Sequence, residues 1–146
     1  MIQIEMRGWK EVHASFKQLG KTGRLRNVQR KALYAGGVVI RDRARQLCPV
    51  KRGKLRKAII VLRRRGRPEY DHVAVGIDYR KASHGHLVEF GTGPRMSNGR
   101  STGRMPARPF MRPAFEESKE QVVTAIQSKS IEAIYDEARK LRGRVA

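Results

Sequence analysis

His84, His86 and Glu89 come nearest, in type and spacing, to a metal or acid–base site: two imidazoles flanking a glycine, then a carboxylate. Residues two apart point the same way on a strand, so both imidazoles would face one ion. Gly85 fits a turn equally well, and a catalytic zinc takes three protein ligands in fixed geometry. The pair is therefore read as turn histidines. Cys48 is the second candidate. Arg45 and Lys51 stand beside it in sequence and would favour its thiolate, but its place directly before Pro49 is that of a packing residue. No Ser-His-Asp pattern, phosphate-binding glycine loop or pair of carboxylates accompanies them. The expectation is a chain that is not an enzyme, with no catalytic, cofactor-binding or metal residue and no cofactor.

Positive charge is the stronger chemical signal. The formal net charge is +20, and Lys21 to Arg67 carries seventeen Lys and Arg against one acid, Asp42, for +16 of it. Such a block calls for a polyanion or an acidic protein face nearby. Lys51, Arg52, Lys54, Arg56 and Lys57, then Arg63, Arg64, Arg65 and Arg67, flank one candidate strand; Arg95, Arg100 and Arg104 follow on a loop. These side chains would meet phosphates without reading sequence, or an acidic partner. Aromatic residues barely interleave with them, which speaks against stacking platforms for single strands. Helix-turn-helix and zinc-finger signatures are lacking.

Two short runs flank that loop, His86-Leu-Val-Glu-Phe-Gly-Thr92 and Ala107-Arg-Pro-Phe-Met-Arg-Pro-Ala114. Glu89 stands between apolar Val88 and Phe90 and is the only acid between Asp78 and Glu116; it is either a simple exposed position or, as the expectation favours, the ion-pair partner of an arginine in the same or a neighbouring subunit. Phe110 and Met111, bracketed by Pro109 and Pro113, are either core residues at the base of a helix or a contact between subunits. On the second reading Phe110→Ala leaves a folded monomer that fails to assemble. Connections as long as 93–108 inside a domain are usually functional or ordered by a partner.

The elements that must position these residues follow from periodicity. Ile2, Ile4 and Met6 alternate as in a half-buried strand. Trp9, Val12, Phe16 and Leu19 share one helical face, ended by Gly20. A longer helix runs from about Arg24 to Leu47, where Pro49 stops it, and its Gly36-Gly37 pair points to close backbone packing. Strands are expected at Lys54–Leu62, His72–Ile77 and His86–Phe90. A last helix starts at Pro113, with Glu116 and Glu117 in its first turn and Val122, Val123, Ile126, Ile134, Ala138 and Leu141 toward the sheet. The fold class is α+β: an antiparallel sheet of about four strands packed by two long helices and one short N-terminal helix. Residues 1–146 form a single domain with a flexible basic loop at 93–108. No apolar run reaches the ~18 residues of a membrane span, a secretory signal is not evident, and one cysteine precludes an internal disulfide, which suits synthesis in a reducing cytoplasm.

Three segments in order resemble the neck or tail-completion proteins of long-tailed bacteriophages. Leu47-Cys-Pro-Val-Lys-Arg-Gly-Lys-Leu-Arg56 is similar to that family's turn from helix to strand. Leu87-Val-Glu-Phe-Gly-Thr92 is similar to its glutamate-aromatic-Gly-Thr strand end, and Ala107–Ala114 to its Pro-Phe-x-Arg-Pro-Ala helix start. The likeness runs from roughly Ala32 to Ala125. It differs in the long basic loop and in the His84-Gly-His86 turn, which replaces an aromatic residue.

The resemblance implies a virion structural protein that assembles as a ring, with a hexamer expected, and joins the capsid connector to the tail around the DNA channel. Its partners would be its own copies, the adjoining head-completion and tail proteins and, non-specifically, packaged DNA; a membrane is not among them. The interface residues would be Glu89, Phe90, Gly91, Thr92, Arg108, Phe110, Met111 and Arg112. Arg63, Arg64, Arg65, Arg67, Arg95, Arg100 and Arg104 would face DNA or an acidic partner. Six copies at +20 each carry +120, whereas a channel ~40 Å tall holds about two dozen phosphates, so most of that charge must face protein or solvent. The alternative is a cytoplasmic, non-sequence-specific nucleic-acid-binding protein.

Overall fold

Helical spacing of Val28, Ala32, Ile40 and Ala44 builds the first helix, and these side chains form its buried stripe. The computed structural model describes residues 2–3, 23–64 and 71–145; the expected Trp9–Leu19 helix, Arg65 and Arg67 lie outside them. Strand β1 is Ile2–Gln3, helix α1 Gly23–Leu47, helix α2 Lys54–Ala58, strand β2 Ile59–Arg64 and strand β3 His72–Ile77. Helix α3 is Gly85–Phe90, strands β4 and β5 are Arg95–Ser97 and Arg100–Gly103, and helix α4 is Met111–Val145. No described helix is long and apolar enough to cross a membrane.

The architecture is α+β. The main sheet is antiparallel in the order β1-β3-β2, with Ile2 opposite Val75 and Ile59 opposite Ile77. Helix α1 lies between this sheet and α4. A Cβ on Gly36 would stand 2.8 Å from the Ile126 side chain of α4, and one on Gly37 2.8 Å from Val61 of β2. The adjacent glycines thus let α1 approach both neighbours at once. Asp71, its side chain buried, accepts from Arg26 Nε at 3.1 Å and Arg30 Nε at 3.2 Å, and Arg43 pairs with Glu117 of α4. Arg45 Nη2 donates to the Ile59 carbonyl at 2.8 Å. Much of the basic charge on α1 therefore fastens α1 to the sheet and to α4.

Several expectations need correction. The strand expected from Lys54 begins only at Ile59. Gly53, at φ 70°, starts a helical turn, and Leu55 and Ala58, three apart, turn the same buried face inward. The third strand is absent: Gly85–Phe90 is a helix, held at its start by Leu87 N–H donating to the His84 carbonyl at 3.0 Å. A strand would have turned Val88 and Phe90 to one side and Glu89 to the other. The helix instead buries Glu89 and exposes Phe90.

The 93–108 loop contains a two-stranded hairpin, β4–β5, turned at Asn98 (φ 50°) and Gly99 (φ 74°). Positive φ at both central positions is the geometry whose twist matches a hairpin. Helix α4 starts two residues before Pro113 and has no acid in its first turn; Glu116 and Glu117 follow in the second. It packs on α1 rather than on the sheet through Val122, Ile126 and Ala133, and leaves Val123 and Ile134 exposed.

Candidate interaction site

Helix α4 arrives at its N-terminus with its first amide donors unpaired, as every α-helix does. Glu89 of α3 meets them. Its Oε2 accepts from the Phe110 N–H at 2.8 Å and the Met111 N–H at 3.1 Å, and its Oε1 from the Arg112 N–H at 3.4 Å. A carboxylate here also opposes the positive end of the helix dipole. The sequence leaves the opening turn of α4 without an acid, and α3 supplies one from twenty-odd residues upstream. The arginine partner expected for Glu89 is replaced by backbone amides of its own chain.

The adjoining segments are closed on each other by two backbone hydrogen bonds and one to a side-chain hydroxyl. Thr92 N–H donates to the Met105 carbonyl at 2.9 Å, and Met105 N–H to Thr92 Oγ1 at 3.1 Å. Arg108 N–H donates to the Val88 carbonyl at 2.8 Å. Gly91 makes this closure feasible. Its backbone is at φ 73°, ψ −172°, a region essentially confined to glycine, and a Cβ would stand 2.7 Å from Ala107 N and 2.8 Å from Met105 O. Gly91→Ala is expected to cost at least about 1–3 kcal/mol and to lower the urea midpoint; an unchanged midpoint would show that the closure tolerates a side chain.

Beyond the closed stem the hairpin projects, and every residue from Gly93 to Arg104 is exposed. The side chains of Arg108 and Arg112 are exposed beside its base, and none of Arg95, Arg100, Arg104, Arg108 and Arg112 has an acidic partner among the described residues. Phe90 is 77% exposed and Met96 69%, whereas Phe110 is 0% and Met111 6% exposed. Of the two readings of the Pro-Phe-Met-Arg-Pro run, the structure gives the core. The fold joins α3, the arm and the α4 start at one place, while Arg63 stacks 4.3 Å over the Tyr34 ring at the middle of α1. The arginines expected to form one charged set are thus divided.

The chemistry-bearing candidates are separated too. His84 and His86 are exposed, His86 lying 6.1 Å from the Tyr79 ring, while Glu89 turns inward. Cys48 is buried. Burial raises its thiol pKa, Arg56 opposes that rise, and Glu89 adds to it. What sequence reasoning missed was the capping role of Glu89 and the hairpin; for the hairpin the Asn98-Gly99 dipeptide was the available signal.

A family model described as "Bacteriophage HK97-gp10, putative tail-component" matches residues 10–91, more than half of the chain. The match ends at Gly91, where the arm begins. No curated protein and no solved structure matches.

Proposed function

Because the chain belongs to the HK97-gp10-like family of bacteriophage tail components, we propose that it is a virion structural protein of the neck or tail-completion type. It assembles as a ring and joins the capsid connector to the tail around the DNA channel. The family match over residues 10–91 carries this reading. The geometry supports it: a helix–sheet body tied by part-buried and exposed ion pairs holds one basic, fully exposed arm at a fixed place. That arrangement suits docking by shape and charge rather than turnover of a substrate. A ring needs contacts between two different patches that close by rotation, and the Phe90–arm pole is one such patch. Its partners are further copies and the adjoining head-completion and tail proteins, and its place is the virion.

The reading is checked by deleting the gene and by quantifying the protein in purified particles. Expected are full heads and separate tails without it, and about six copies per complete particle with it. Infectious particles that contain none of it would overturn the proposal. The nucleic-acid-binding alternative requires a monomer that holds duplex DNA with affinity falling steeply as salt rises.

A further inference from the structure

The β4–β5 arm is an unusual object to leave in water. Two strands on their own are marginally stable, and their outer edges offer unpaired backbone donors and acceptors. The arm carries Arg95, Arg100 and Arg104 together with exposed Met96, and Phe90 is exposed near its stem. A polyanion alone would satisfy the arginines and leave the two apolar side chains in water. An occupant that answers both must be acidic and apolar together.

The chain itself presents such a surface. Glu116, Glu120, Val123, Gln127, Ile131 and Ile134 recur on α4 at steps of three and four, so they share one side of the helix. All are exposed, and this side lies about a third of a turn round the helix from the Val122–Ile126–Ala133 stripe that packs on α1. Glu117 and Tyr135 border it. Its first turns are acidic and its later turns apolar; none of the six is Lys or Arg, and Lys119, on its other border, pairs with Glu116 within the chain. Within one chain the arm and this face stay apart: the arm is fully exposed, and Glu120 has no cationic partner among the described residues.

We propose that the β4–β5 arm of one copy docks across the outer face of α4 of a second copy, its arginines on Glu116 and Glu120 and its Met96 and the nearby Phe90 on the Val123–Ile134 stretch. Arm and helix face are different patches, so the contact is heterologous and repeats from copy to copy, which a ring requires. It rests on the ring assembly proposed above and names the surfaces that build it.

The test uses the full chain and two charge reversals, Arg95→Glu/Arg100→Glu/Arg104→Glu on the arm and Glu116→Lys/Glu120→Lys on α4. Folding is verified by circular dichroism, and self-association is followed by sedimentation and native mass measurement. Each reversal is expected to weaken self-association at least about tenfold at low ionic strength. Both reversals in one chain are expected to restore part of it, because the complementarity is rebuilt with opposite signs. A photo-reactive residue replacing Met96 is expected to cross-link to a peptide from 116–135 of another copy.

Reversals that assemble like the unmodified protein, or a cross-link to another segment, would overturn the docking while leaving the ring intact. Reversals that alter only binding to duplex DNA would assign the arm to a polyanion and overturn it as well. An unmodified chain that stays monomeric at every concentration and is missing from particles would overturn both the docking and the tail assignment.

Discussion

Replacing Glu89 by alanine is expected to lower the melting temperature by roughly 6–12 °C. The carboxylate accepts three amide hydrogens at the start of α4, and the Phe110 and Met111 donors are buried, so water does not replace it. Losing an N-cap costs about 0.5–2 kcal/mol, and hydrogen bonds to a charged group contribute about 1.5–3 kcal/mol. A combined loss of about 3 kcal/mol, at about 2–4 °C per kcal/mol for a chain near this size, gives the stated range. Glu89→Gln keeps an acceptor oxygen and should lose about half as much. Thermal melts by circular dichroism decide it, and a Glu89→Ala melt within about 2 °C of the unmodified protein would refute the cap. The charge reversal Glu89→Arg would damage the fold before it touched any neighbour, so an assembly defect in that variant carries no information about an interface.

Phe110→Ala is expected to cost about 3–5 kcal/mol, because the ring is fully buried and its removal leaves a cavity. The expected phenotype is a destabilised or unfolded chain, not the stable monomer that an interface anchor would give. Phe90→Ala is the informative contrast. Its side chain is exposed in the monomer, so stability should stay within about 0.5 kcal/mol while self-association falls. Urea unfolding of both variants separates the two roles. A Phe110→Ala midpoint equal to that of the unmodified protein would return Phe110 to the surface.

Periodicity made the long elements legible. Helix α1 and strand β3 stand where the spacing of Val28, Ala32 and Ala44 and the His72–Ile77 run placed them, because α1 buries one continuous stripe and β3, the middle strand, buries its central Ala74 and Val75. The family likeness was equally legible from short runs in order, of which Leu47–Arg56 and Leu87–Gly91 fall within the matched residues 10–91. The Glu89 segment was not. A run of six residues with apolar Leu87, Val88 and Phe90 fits a strand or a helix by pattern alone, and the deciding force is non-local: an unsatisfied helix end that needs an acid. The same blindness covered Phe110, since bracketing prolines show where a turn of chain is stiff but not which side meets the core. Lys54–Ala58 was misread because charged Arg56 and Lys57 hid the three-residue spacing of Leu55 and Ala58. The hairpin was the reverse case. Asn98-Gly99 announced it, but without alternating apolar residues around the turn the segment looked like coil.

The hydrogen bonds joining Thr92 to Met105 and Val88 to Arg108 have a consequence for tolerance to change. Because the chain leaves and re-enters the body through one fastened gate, residues 93–104 can be lengthened, shortened or exchanged with little penalty elsewhere. Changes in the arm's length and sequence are therefore absorbed above the gate, and the scaffold beneath keeps its packing.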